Sequence, residues 1–195
     1  MAITLYFAPF TRATRPRWLL EELGVPYELV VVDTAAGEHK SEAYVRDIHP
    51  LGKLPALTID GVTLFESAAI ITLLADRHLD KGLAPAVDSP ERAPYLQWLF
   101  YAMTTVEPAV VAAAGHKGDA EALERDQHRF DEAAGPLARA LEGREWLLST
   151  GFSAADVVVG AVLIWAASLK LVQQPALIAY VDRCKARPLW RKTLK

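Results

Sequence analysis

The chain has 195 residues, 52% of them hydrophobic, enough to fill a core in one large domain or two small ones. A formal net charge of −3 supplies no general attraction to nucleic acid or to an anionic membrane surface, which leaves small molecules and protein partners. The single cysteine, Cys184, excludes an intramolecular disulfide, a CxxC redox pair and a thiolate-rich metal cluster, and fits a reducing compartment.

In chain order, the opening Met1-Ala2-Ile3-Thr4-Leu5 lacks the basic start and apolar run of a signal peptide. Ile3 to Phe7 reads as a short buried strand, ended by Ala8-Pro9. Leu19, Leu20 and Leu23 then fall at helical spacing, and Gly24 before Val25-Pro26 is a helix stop. Tyr27 to Val32 is a second β-rich run, completing a βαβ unit. A polar stretch follows, with one short helix expected around Ser41 to Asp47. Two further strands, Pro55 to Ile59 and Val62 to Phe65, flank Asp60-Gly61, a strong hairpin signal. Glu66-Ser67 opens a helix patterned by Ile70, Ile71, Leu73 and Leu74.

Residues 79–89, with Gly82 and Pro85, have linker chemistry. Four helical segments are expected beyond it, at about 91–113, 119–142, 153–169 and 173–187, broken at Gly115/Gly118, at Gly143 to Gly151 and at Pro175. Ser153 and Asp156 form a start signal for the third. Its apolar stretch, Val157 to Leu169, is too short to span a bilayer, so a cytoplasmic location is expected. The expected organisation is therefore a small α/β domain over 1–78, a linker over 79–89 and an all-helical domain over 90–195. Every charged residue after Asp182 is basic (Arg183, Lys185, Arg187, Arg191, Lys192, Lys195), which suits a helix C-terminus.

The richest stretch chemically is His49-Pro50-Leu51-Gly52-Lys53-Leu54-Pro55-Ala56-Leu57. A proline at the entry of a strand removes a ladder donor, and a cis Leu54-Pro55 bond would explain it. That geometry turns the Leu54 N–H and C=O outward, where they can pair with a peptide-like ligand. At Glu66-Ser67 the helix start offers unpaired N–H groups to an anion, and the Glu66 carboxylate can face an ammonium. Glutathione, a peptide whose γ-glutamyl end carries carboxylate and ammonium together, satisfies both features. The five histidines show no HxH or HxxxH pairing, so no metal site is expected and surface or loop positions are the default. Cys184 reads as a small packed residue.

The Trp18-Leu19-Leu20-Glu21-Glu22-Leu23-Gly24-Val25-Pro26 run, Gly52-Lys53-Leu54-Pro55-Ala56-Leu57, Glu66-Ser67 and Phe152-Ser153-Ala154-Ala155-Asp156 occur in an order and spacing that resembles glutathione transferases. The likeness covers nearly the whole chain. It implies a thioredoxin-like α/β domain (βαβ, short helix, ββα, with a mixed four-stranded sheet) followed by a helical bundle, a homodimer, and conjugation of glutathione to small apolar electrophiles. It also implies a hydroxyl or thiol at the start of the first helix that favours the glutathione thiolate.

Counting back from Leu20-Glu21-Glu22, Thr11 falls where serine-type relatives carry their hydroxyl, and Arg12 where cysteine-type relatives carry their thiol. The chain therefore resembles the serine/threonine type more than the cysteine type. Thr11 and Arg12 are the leading candidates, with Tyr6 and Thr14 behind them, and Thr11 serves equally well as a helix cap. Lys53 and His39 are candidates for the glycyl carboxylate. Phe10, Trp98 and Tyr101 are candidate walls of an electrophile pocket. A scaffold role, and glutathione-dependent isomerisation, peroxide reduction or dehalogenation, remain open alternatives.

Overall fold

Strand β1 (Ile3–Phe7) buries Ile3, Leu5 and Phe7 and leaves Thr4 and Tyr6 half-buried, the period of two expected where opposite faces meet different cover. The computed structural model describes residues 2–116 and 120–193. Helix α1 (Thr14–Leu23) ends at Gly24, whose φ of 65° lets its N–H cap the carbonyls of Leu20 and Glu21. Strand β2 (Glu28–Val31) lies parallel to β1. Helix α2 (Glu42–Asp47) starts on Ser41, whose side chain accepts from the Tyr44 N–H. Strands β3 (Ala56–Ile59) and β4 (Val62–Phe65) form the expected hairpin, with Asp60 and Gly61 at φ 50° and 83°. Helix α3 (Ser67–Arg77) follows directly.

The four strands run in the order β2-β1-β3-β4, with β1 antiparallel to β3. Helices α1 and α3 pack on each other and on the strands, burying Leu5, Leu57, Trp18, Leu19, Ile70 and Ile71 completely. Tyr6 points away from that core and meets the Tyr44 ring of α2 edge-on at 6.0 Å.

The chain forms two compact units, Met1–Leu83 with Pro188–Lys195, and Ala84–Arg187. The division falls inside the stretch expected as a linker, whose first residues, Leu79–Lys81, form a 3-10 turn. The end of the chain differs from expectation. Pro188 stops the preceding helix at Arg187, and a short helix, Pro188–Lys192, packs with the first unit instead of the helical one. Its Trp190 ring lies 4.9 Å from the wholly buried Trp18, and Lys192 sits 3.6 Å from Glu21.

The second unit holds helices α4 (Arg92–Tyr101), α5 (Glu107–Gly115), α6 (Ala120–Leu141), α7 (Ala154–Ser168) and α8 (Pro175–Ala186); the terminal Pro188–Lys192 helix is α9. The expected helix over 91–113 is present, but a π-helical segment, Ala102–Val106, interrupts its α geometry. The expected break at Gly118 lies outside the described residues. Helix α7 is buried along almost its whole first three turns, and Asp156 is the charged residue inside it. Of the basic terminal residues, Arg183 and Arg187 lie over the Trp146 ring, and Arg187 also covers Phe152 at 3.6 Å.

Candidate functional site

The segment from His49 to Pro55 links α2 to β3, and it is held from several sides. The His49 N–H donates to the Tyr44 carbonyl, and the His49 carbonyl accepts from the Gly52 N–H at 2.7 Å. The Lys40 ammonium donates to the Leu51 carbonyl at 2.8 Å, and the Tyr44 hydroxyl to the Lys53 carbonyl at 3.0 Å. Gly52 adopts φ 55° with no room for a side chain, because a Cβ there would run into the His39 carbonyl and the Lys40 side chain. Leu54-Pro55 is cis, as the strand-entry proline predicts. Pro55 is buried and Leu54 half-buried, and among the described residues no hydrogen bond occupies the Leu54 N–H or C=O. Lys53 is exposed next to this open edge.

Glu66 is the N-cap of α3, with φ 74° and ψ 109°, an unusual backbone geometry for a residue with a side chain. Its exposed carboxylate forms no cap hydrogen bond, so it is available to a ligand. Ser67 is 2% exposed, and its hydroxyl oxygen accepts from the Arg15 guanidinium at 3.4 Å. The first-turn N–H groups of α3 have no acceptor within the helix. Arg15 lies on α1 and is 3% exposed, so this bond ties the start of α1 to the start of α3. The candidate sulfur-holding turn and the candidate γ-glutamyl anchor are thereby brought together.

At the start of α1, the Thr11 hydroxyl donates to the Ala8 carbonyl at 2.7 Å and accepts from the Ala13 N–H at 3.2 Å. Thr14 donates its hydroxyl to the Thr11 carbonyl at 3.0 Å, and Ala13 is the N-cap. Both threonines thus shape the turn. Arg12 is exposed on it. Tyr6 lies elsewhere, against Tyr44 on the face covered by α2. Phe10 is 88% exposed with φ 59°. Trp98 and Tyr101 belong to the second unit, where their rings meet edge-on at 5.8 Å and the Tyr101 hydroxyl donates to the Ala133 carbonyl. His39 is half-buried, and its Nδ1 has no partner among the described residues.

His116 and His128 are exposed, and His49 and His78 lie in connecting segments, within the expected surface or loop positions, but the latter two are packed in. His78 Nδ1 lies 2.8 Å from the Leu74 carbonyl, and His116 Nδ1 2.9 Å from an Asp126 oxygen. Among the described residues, no group of three or more His, Cys, Asp or Glu is placed to hold a metal ion. No helix among them is long and apolar enough to cross a membrane. Cys184 is buried, and burial first, then the nearby Asp156 carboxylate, pushes its thiol well up, away from a reactive thiolate.

Two family models match the chain: glutathione S-transferase, N-terminal domain, over residues 1–76, and glutathione S-transferase, C-terminal domain, over residues 92–188. The disulfide-bond oxidoreductase YfcG of Escherichia coli K12 is 31% identical over 201 residues, covering 95% of this chain and 91% of the relative. The chain belongs to the glutathione S-transferase family. Among solved structures it resembles a sphingomonad glutathione S-transferase complexed with glutathione, at TM-score 0.84 and 31% identity over 98% of this chain and 96% of that one. It also resembles BphK, a bacterial glutathione S-transferase solved as a ternary complex, at TM-score 0.85 and 31% identity over 98% and 97% of the two chains.

Two residues around the candidate site of this glutathione S-transferase escape a reading of the sequence. Arg15 sits in an unremarkable basic helix start, and only the packing of α1 on α3 shows that it reaches Ser67. Tyr44 carries no motif, yet its hydroxyl holds the Lys53 carbonyl, and burial and the neighbouring Tyr6 push its ionisation up to about 12. His49 yields a prediction on stability. Desolvation is the largest influence on its ring and lowers its pKa below the usual 6.5. The unfolded chain therefore binds more protons in the window between the lowered value and 6.5, and stability rises with pH there. Urea unfolding across pH 5 to 7 should show this rise, by up to about 1.4 kcal/mol per pH unit, and a His49→Asn variant should lose the histidine's share of it. An unchanged slope in that variant would contradict the assignment.

Proposed function

We propose that this glutathione S-transferase binds glutathione in the first unit and conjugates its thiolate to small apolar electrophiles. Glu66 faces the γ-glutamyl ammonium, Ser67 and the first turn of α3 take the adjoining carboxylate, and the Leu54 N–H and C=O pair with the cysteinyl backbone. Lys53 and His39 meet the glycyl carboxylate. The observation that carries this reading is the pairing of the unoccupied Leu54 edge with an α3 start whose Glu66 carboxylate is not spent on capping.

Thr11 and Arg12 are the groups assigned to the sulfur. The Ala13 N–H fixes the Thr11 oxygen, and rotation about the C–O bond swings the hydroxyl proton from the Ala8 carbonyl to the sulfur. A free thiol ionises near about 8.5, and each unit of lowering corresponds to about 1.4 kcal/mol of preferential thiolate stabilisation. The α1 N-terminus and the Arg12 charge act in the same direction. The sulfur lone pair then forms a C–S bond to the electrophilic carbon, and the leaving group departs with its electron pair. Phe10, Trp98 and Tyr101 are assigned to the electrophile.

Glu66→Gln should weaken glutathione binding about tenfold by titration calorimetry, a modest loss because the carboxylate is exposed. Thr11→Ala and Arg12→Ala should each move the ascending, acid limb of the conjugation pH–rate profile to higher pH, while Thr11→Ser should hold it in place. Identical profiles in wild type and both alanine variants would remove the sulfur assignment. Absence of glutathione binding in the wild type would favour the scaffold role.

A second reading, disulfide reduction, is supported by the name of the Escherichia coli relative. With Cys184 buried, such a reaction would run through glutathione sulfurs alone, two glutathiones giving up two electrons and two protons to reduce one disulfide. Turnover of a glutathione mixed disulfide against turnover of an aryl halide separates the two. A homodimer is proposed from family likeness and from the exposed apolar side chains of Leu51, Val62 and Phe65. Light scattering should then give twice the 21.4 kDa chain mass.

A further inference from the structure

The ring of His49 is 6% exposed and tilts over Phe65 with centroids 4.7 Å apart. Its Nδ1 accepts a hydrogen bond from the Leu51 N–H at 3.2 Å, which fixes the neutral tautomer with the proton on Nε2. Together with the Tyr44 and Gly52 backbone bonds, His49 thus supplies three of the contacts that shape the turn carrying Lys53 and Leu54. The charged groups around it come from separate elements. Lys40 of the 3-10 turn Glu38–Lys40 and Lys53 of the same loop disfavour a charged ring, Glu66 at the β4–α3 junction favours one, and Tyr44 of α2 offers only its carbonyl.

We infer that His49 positions the Lys53–Leu54 edge for glutathione only while its ring is neutral, so that proton binding at this imidazole and ligand binding at the edge oppose each other. Protonating Nδ1 sets an N–H against the Leu51 N–H, removes the acceptor that closes the turn and releases the segment bearing Leu54. Binding acts back on the ring. The ligand ammonium on Glu66 offsets the one nearby charge that favours imidazolium, and linkage makes the two effects equal in size. The inference rests on the glutathione reading above.

S-Methylglutathione is the probe, because it lacks a thiol whose own ionisation would obscure the count. Titration calorimetry from pH 5 to 7.5 should show wild-type affinity falling with acid, steepening toward about tenfold per pH unit below the His49 pKa. In His49→Asn the Oδ1 stands in for Nδ1 as the Leu51 acceptor without titrating, and affinity should vary less than about twofold over that range, as the inverse of the linkage. Wild type at a pH on its own acid limb, measured in two buffers of different ionisation enthalpy, should release protons on binding, and the His49 ring resonances should titrate at lower pH once saturated. These two wild-type readouts stand even if the variant fails to fold. Equal acid limbs in wild type and variant, or no proton release from the wild type, overturn the role of His49 alone. No binding at any pH overturns the glutathione reading and this inference with it.

Discussion

Asp156→Ala should destabilise the helical unit by about 3–5 kcal/mol, the range for removing one member of a buried charged network. The carboxylate is 0% exposed, and both oxygens are fully used. One accepts from the Leu147 N–H at 3.1 Å and the Tyr180 hydroxyl at 2.9 Å, the other from the N–H and hydroxyl of Ser153, each at 2.9 Å. Alanine leaves these donors buried without an acceptor and removes the start signal of α7, the helix on which α4, α5 and α8 pack. Burial, the dominant influence, pushes the Asp156 carboxyl up, while the same four hydrogen bonds hold it down. Asp156→Asn keeps one acceptor oxygen and should lose less. Urea unfolding followed by circular dichroism measures both, and a loss under about 1 kcal/mol for the alanine would show that water replaces the missing acceptor.

The second large effect is expected from Gly52→Ala, at about 2–4 kcal/mol, combining left-handed backbone strain with overpacking. The added methyl meets backbone, the His39 carbonyl, together with the Lys40 side chain that holds the Leu51 carbonyl, so relief requires the Glu38–Lys40 turn to separate from the 49–55 segment. Stability and glutathione affinity should therefore fall together in one variant. Loss of stability with unchanged affinity would detach the turn from the site.

Much of this was legible in the sequence, for local reasons. Asp60-Gly61 is an intrinsic hairpin signal, Gly24 a helix stop and Pro55 a strand-entry anomaly, and each resolves within a few residues. Glu66-Ser67 was legible as a helix start for the same reason, although the positive φ at Glu66 was not. What could not be read depends on residues distant in the chain. Arg15 and Ser67 are separated by 52 positions, and nothing near either one announces the other. His49 looks like a loop histidine until Phe65 is folded onto it. The apolar spacing over 91–113 reads as a single helix, and the π-helical segment at Ala102–Val106 goes unread although Pro108, just beyond it, has no N–H to give the Thr104 carbonyl. The role of Thr11 was ambiguous because a helix cap and a sulfur-facing hydroxyl require the same residue type at the same place.

The docking of α9 on α1 has a consequence for the order in which the protein can be completed. Trp18 belongs to α1, but the Trp190 ring that covers it follows the whole of the second unit in the chain. During synthesis the first unit must wait, with that indole uncovered, while more than a hundred intervening residues of the second unit, Ala84–Arg187, emerge. A chain shortened to residues 1–83 would keep the complete sheet and every proposed glutathione contact, yet it would expose a tryptophan that the whole chain hides.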